Sequence, residues 1–196
     1  MASWKSRAPS SAATCLVAAL AMAACSSSGD DGVDDGGGDD GGDELDPCAG
    51  PRQRDQRGDV VLGTGYDEFE ALTDEIRIIA GPQGGFHLNL NARVRGLDLG
   101  SSDDLLDPRN PSTAFAIFSA DGGERLDLDE CPVRTGYRPD GDFGVLPRGI
   151  SVLFDIDDAA ELEPLFDHPV LLEVDVVDAD GHHTSDQRTI TVRAPP

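Results

Sequence analysis

Lysine, methionine and tryptophan are missing from the chain beyond residue 24. The single lysine and the only tryptophan lie within the first five residues, and both methionines precede residue 23. The rest of the chain therefore lacks the soft thioether ligand that copper prefers. Only Tyr66, Tyr137 and the phenylalanines are left as platforms on which a sugar ring could stack, which disfavours a carbohydrate-binding module.

Sequence signatures of common catalytic sites are also absent. The chain has no G-x-S-x-G nucleophile elbow and no glycine-rich phosphate loop. Its four histidines form neither an H-E-x-x-H nor an H-x3-H pattern. No two carboxylates are brought together by spacing alone. The sequence therefore predicts a protein that is not an enzyme and needs no cofactor.

Positive charge is scarce. Residues 48–196 hold 13 arginines against 29 acidic residues, a net charge of −16. A surface this acidic repels nucleic acid and anionic lipid, so neither is an expected partner of the folded part.

Long apolar runs are absent as well. The longest covers residues 12–24 and follows Lys5 and Arg7, with no acidic residue before it. Its 13 residues fall short of the roughly 20 that span a bilayer. A charged start followed by a short apolar run is typical of a signal peptide, which we expect over residues 1–24. Cys15 lies inside this run and should be removed with it.

The end of the run, Met-Ala-Ala-Cys at residues 22–25, resembles the lipobox of bacterial lipoproteins, with Met22 where that family usually has leucine. The resemblance implies cleavage before Cys25, a diacylglycerol thioether on its sulfur and an acylated amine, which together anchor a chain in a membrane. Ser26 after the cysteine favours the outer membrane, facing either the periplasm or the cell surface. The alternative is ordinary signal cleavage after residues 21–23, which leaves Cys25 as a free thiol.

A linker follows the predicted anchor. Residues 26–47 contain nine acidic residues, no basic residue and one valine plus one leucine. Such a segment has too little apolar surface to order itself, so we expect residues 25–47 to be a disordered tether spanning roughly 25 Å. The spacing of a calcium-binding loop does not occur in it.

The remaining residues, 48–196, predict one domain with two cysteines, Cys48 and Cys131. In an exported protein the default expectation is a disulfide between them, closing a loop of about 80 residues and contributing about 4 kcal/mol. Neither cysteine has a histidine or cysteine neighbour that would favour a metal site or a catalytic thiol.

Strands are predicted by alternation of apolar and polar residues. The clearest cases are residues 86–95 and a closing hairpin, in which residues 170–176 alternate, residues 178–181 supply turn chemistry and residues 189–192 alternate again. Residues 157–166 predict one short helical turn that stops at Pro164. Further candidate strands cover residues 60–62, 69–72, 76–80, 114–118, 143–146 and 150–156.

Seven to nine short strands separated by glycine, proline and aspartate turns predict an all-β fold, an antiparallel β-sandwich similar to an immunoglobulin-like domain. The usual buried tryptophan and core cysteine pair of that family are absent. The string GPQGGFH at residues 81–87 resembles a turn-and-strand pattern in uncharacterised lipoproteins and secreted proteins of Gram-negative bacteria, and this resemblance covers residues 69–96 without implying an activity.

A metal site is the one chemical alternative that the residues suggest. In an immunoglobulin-like sandwich, the loop before the third strand and the turn of the last hairpin lie at one end. Gln83 and four candidate ligands would meet there, and imidazole with carboxylate suits zinc. We favour the interpretation of the same residues as solvated side chains, and the sequence therefore predicts a lipid-anchored binding or structural module of the envelope whose expected partner is another envelope protein. The candidate ligands are His87, Asp180, His182 and His183.

Overall fold

A computed structural model describes residue 48 and residues 50–82, 84–128, 131–156 and 158–196. The chain divides into two units, Met1–Gly42 and Asp43–Pro196, and the described residues all fall in the second. The predicted signal peptide, the predicted lipidation site Cys25 and the whole predicted linker lie outside the described residues, as does Gln83.

Two β-sheets hold almost all of the regular structure. The strands are β1 (Asp59–Thr64), β2 (Glu70–Ala71), β3 (Glu75–Arg77), β4 (Ile79–Ala80), β5 (Phe86–Arg95), β6 (Ser112–Ser119), β7 (Val133–Arg134), β8 (Arg138–Asp140), β9 (Phe143–Val145), β10 (Ile150–Leu153), β11 (Pro169–Val177) and β12 (His183–Arg193). One sheet has the order β2-β1-β5-β9-β8, with β4 and β10 also paired to β5, and the other has the order β3-β12-β11-β6-β7. Among the strands of the described residues, every pairing is antiparallel except that of β3 with β12.

The core lies between the sheets and is built from the alternating faces of the long strands. Every second residue of β5 from Leu88 to Val94 is fully buried, and every second residue of β11 from Val170 to Val176 is almost fully buried. Alternation places these side chains on one face because successive residues of a strand point to opposite sides. The predicted all-β sandwich, the strand over residues 86–95 and the closing hairpin are therefore confirmed.

The strand count exceeds the seven to nine predicted, for two reasons. The candidate strand at residues 76–80 is two strands, β3 in one sheet and β4 in the other, and the chain crosses between the sheets at the fully buried Ile78. Strands β7 and β8 have two and three exposed residues, so they carry no alternation that the sequence could reveal.

The predicted helical turn is confirmed except for its end, because helical structure continues through Pro164 to Leu165. Helix α1 (Ala159–Leu162) begins after Asp158, whose side chain accepts a hydrogen bond from the amide of Ala160 at 3.0 Å. A 3₁₀ turn, Glu163–Leu165, follows and contains Pro164. Leu162 is buried in the core, which attaches this turn to the sandwich.

Two stabilising features flank β7 in the sequence. Cys48 and Cys131 form a disulfide with their Cα atoms 4.7 Å apart. Tyr137 is fully buried, its hydroxyl lies 2.7 Å from Oγ1 of Thr113, and burial raises the pKa of the phenol above its ordinary value. Tyr137 therefore belongs to the core and is not the sugar platform that the sequence left open.

Candidate functional site

The candidate metal ligands do not assemble. His87 lies at the beginning of β5. His182 and His183 contact Arg57, which lies just before β1, and the start of β1 pairs with the other end of β5. Eight residues of strand, at roughly 3.3 Å each, put about 26 Å between His87 and that end. The predicted convergence is wrong because the two loops lie at opposite ends of β5. No group of three or more metal-ligating side chains occurs among the described residues.

Asp178 organises the turn between β11 and β12. Its buried carboxylate accepts hydrogen bonds from the amides of Asp98 (3.2 Å), Asp180 (3.0 Å) and His182 (2.9 Å). The Nδ1 atom of His182 is 3.2 Å from the same carboxylate, and Arg57 is 3.5 Å from Nε2 on the other side of the ring. Desolvation raises the pKa of Asp178, but the hydrogen bonds from Asp98 and His182 outweigh it and the net pKa is lowered. A guanidinium thus occupies the position from which this imidazole would bind a cation.

Residues 50–57 cross the outer face of the second sheet above a small polar group. Asp175 of β11 accepts a hydrogen bond from Nε2 of Gln53 at 2.9 Å, and the amide of His183 donates to the carbonyl of Asp55 at 3.1 Å. Desolvation raises the pKa of Asp175, while the charge of His183 and the hydrogen bond from Gln53 act to lower it. The Nδ1 atom of His183 is buried and has no hydrogen-bond partner in the described part of the chain. These contacts hold the segment after Cys48 against the domain.

A cavity of about 640 Å³ lies where β2, β3 and β4 meet the end of the chain. Most of its wall is isoleucine, alanine and proline, and two of its polar side chains are already engaged: Glu75 pairs with Arg193, and Thr64 donates to the carbonyl of Asn89 at 2.7 Å. A ligand site usually adds several converging polar groups to an apolar wall. Thr73 and Arg77 also donate to backbone carbonyls, so most of the polar side chains in the wall are engaged within the domain.

An arginine and phenylalanine cluster covers part of the outer face of the first sheet. The guanidinium of Arg93 lies between the rings of Phe69 and Phe143, at 5.3 Å and 4.4 Å from their centres, and 3.9 Å from the carboxylate of Asp140. A shallow pocket of about 320 Å³ adjoins it. The cations of this cluster are balanced by acids on the same surface, and its rings are already occupied by Arg93. We therefore interpret it as support for the sheet.

The most unusual surface feature is the leucine loop, which we define as residues 101–109 between β5 and β6. Leu105 is 69% exposed and Leu106 is 90% exposed, the two most exposed large hydrophobic side chains among the described residues. Single exposed leucines are common, but two adjacent ones at a loop tip form an apolar projection.

The leucine loop is held in one shape from within. Asn110 is completely buried; its Oδ1 accepts from the amide of Ser101 and its Nδ2 donates to the carbonyl of Asp104, both at 2.8 Å. The carboxylate of Asp104 accepts a hydrogen bond from the amide of Leu106 at 2.9 Å, and the carboxylate of Asp107 accepts one from the amide of Arg109 at 2.8 Å. The leucines are therefore presented by a fixed backbone.

The domain also holds the leucine loop from outside. Arg134 of β7 donates to the carbonyl of Pro108 at 2.9 Å, and Gly136 packs on the backbone of Ser101 so closely that no Cβ would fit. Gly50, two residues after Cys48, lies beside Ser112 at the end of the segment that carries the loop. The disulfide end of the chain thus enters the domain near the base of the loop.

Sequence reasoning did not select Leu105 or Leu106, although one signal for them is present. Both lie in SSDDLLDPRNP, where turn-forming residues surround an apolar pair that belongs to no alternating pattern. An apolar pair without periodic partners has no strand face to bury it. Asn110 could not have been selected, because its burial depends on contacts with both arms of the loop.

Comparisons with other proteins add no identity. No family model matches the chain, and neither a curated protein nor a solved structure is detectably similar to it. Within the described residues, no helix combines the length and the apolarity needed to cross a membrane.

Proposed function

We propose that the chain is a lipid-anchored protein of the bacterial cell envelope, in the outer membrane, whose β-sandwich is a non-catalytic protein-binding module. The lipobox-like residues 22–25 and the acidic segment that follows support the anchor and the tether. Lipid on Cys25 would supply the membrane affinity that the acidic domain lacks.

One observation carries the binding half of this proposal: two adjacent exposed leucines on a loop whose backbone the domain fixes. A loop that merely connected two strands would gain nothing from holding leucines in water. A loop fixed before binding loses little conformational entropy when a partner covers it, and therefore binds more tightly than a flexible one.

Metabolic labelling with a fatty acid tests the anchor. The wild-type chain should incorporate label and fractionate with membranes, whereas Cys25→Ser should lose the label and be stalled in processing or released. Cys15→Ser is the matched control, because it removes a cysteine from the same apolar run and should leave labelling unchanged. Labelled fatty acid in the Cys25→Ser chain would refute the anchor.

A further inference from the structure

We infer that the leucine loop docks into a partner protein through an apolar pocket that takes both leucine side chains and is edged by lysine or arginine. The inference rests on the proposed binding function and names the partner's chemistry. It is carried by the exposure of Leu105 and Leu106 together with the charge around them.

The charge around the tip is negative, with three acids in the loop against Arg109 within it and Arg134 at its base. Of the three acids next to the leucines, only Asp107 has a basic partner, Arg109, at 3.1 Å. Asp103 and Asp104 form no salt bridge within the described residues, and both are exposed. An apolar centre with an acidic rim is complementary to an apolar pocket with a basic rim, and such charge pairs set specificity and the association rate.

A lipid surface is the other apolar environment near the loop, because the tether of the proposed function would keep a membrane close by. Insertion of Leu105 and Leu106 would bring Asp103 and Asp104 to the headgroups, where anionic lipids repel them. A second copy of this chain is a weaker candidate still, since each domain carries a net charge of −16. The charges therefore favour a basic protein pocket over both.

Site-specific photocrosslinking in native cells tests the inference. A photoreactive phenylalanine analogue is placed at Leu106 or, as the control, at Tyr66, an exposed aromatic residue on another part of the surface. Position 106 should give a protein adduct that position 66 does not give. The captured protein is then identified and purified, and its affinity for the mature full chain is measured at low and high salt.

Two variant pairs decide the outcome. Leu105→Ser with Leu106→Ser should weaken binding at least tenfold, and Asp103→Asn with Asp104→Asn should weaken it and reduce its dependence on salt. Unchanged affinity in the leucine variant, or the same adducts at positions 66 and 106, would overturn the inference. An adduct of two copies of this chain would overturn it in favour of self-association.

An experiment with lipid vesicles tests the remaining possibility, that the leucine loop inserts into a membrane. A fluorophore at position 106 of the mature lipidated chain, reconstituted in phosphatidylethanolamine and phosphatidylglycerol vesicles, should not be quenched by brominated lipid. Strong quenching would assign the leucine loop to the membrane and refute the protein pocket. Loss of the anchor itself would appear only in the fatty-acid labelling of Cys25→Ser, so the two failures are distinguishable.

Discussion

The side chain of Asn110 joins the two arms of the leucine loop, accepting from the amide of Ser101 and donating to the carbonyl of Asp104, both at 2.8 Å. Asn110 is completely buried. Its two hydrogen bonds take the place of the contacts with water that the amide of Ser101 and the carbonyl of Asp104 would otherwise make. The same contacts that stabilise the fold therefore fix the conformation in which Leu105 and Leu106 meet solvent.

Replacing Asn110 by alanine should destabilise the domain by about 2 kcal/mol, because two hydrogen bonds are lost and partly buried backbone groups are left without partners. Urea unfolding of the mature chain measures this change. Asp103→Ala, an exposed substitution in the same loop, should stay within about 0.5 kcal/mol of wild type. Equal stabilities for the two variants would contradict the structural role of Asn110.

The disulfide between Cys48 and Cys131 should contribute about 4 kcal/mol, because it closes a loop of 83 residues in the unfolded chain. Thiol titration of the mature chain, unfolded without reductant, should find no free thiol, and reductant should lower the melting temperature. A chain with both cysteines changed to alanine is the control and should melt at one temperature with or without reductant. Two titratable thiols would refute the bridge.

Parts of the fold could be predicted from sequence wherever a pattern is local. The alternation in β5 and β11 identifies their buried faces directly, since each side chain's environment follows from its position in the strand. Residues 76–80 show the limit of this reasoning. They form one short stretch that is apolar apart from Arg77, yet β3 and β4 pair in different sheets, and only the arrangement of the whole chain decides that.

The predicted histidine site failed for the same reason, because it depended on the arrangement of the whole chain. Whether His87 meets His183 depends on which ends of the strands lie together, and this information is not contained in either segment. The turn at residues 178–181 was predicted correctly, because within this turn the carboxylate of Asp178 accepts hydrogen bonds from nearby amides, those of Asp180 and His182. For the leucine loop, the local sequence shows only that Leu105 and Leu106 lie among turn-forming residues outside any alternating pattern, and their exposure follows from the fold.

Asp178 should make stability depend on acid pH. Its folded-state pKa lies below the unfolded value, so its stabilisation is complete above the unfolded pKa of about 3.9 and is lost as pH falls through the lowered folded value. Asp178→Asn should therefore be less stable than wild type at pH 7, and the difference should shrink toward pH 2. Chemical unfolding across this range measures it; a difference independent of pH would show that the charge is unimportant.

Asp175, three residues earlier, should behave with the opposite sign. Desolvation raises its folded-state pKa, so stability is greatest below the unfolded pKa and falls as pH rises through the raised value. Asp175→Asn removes the half-buried charge and keeps an oxygen for Gln53, and it should be more stable than wild type at pH 7 but not at pH 3. The same unfolding series checks this, and a loss of stability at pH 7 would contradict it.

Zinc should not stabilise the protein appreciably. A ligand that binds only the folded state at a hundredfold excess over its Kd adds about 2.7 kcal/mol, which a thermal melt of the metal-stripped mature chain would detect. His182 turns Nδ1 toward Asp178 and Nε2 toward Arg57, whose positive charge opposes a cation there. His87 lies about 26 Å away along β5 and cannot share an ion with it. Wild type, His87→Ala and His182→Ala should accordingly respond alike to added zinc, whereas a large stoichiometric rise in wild type that disappears in His182→Ala would establish a metal site at the turn.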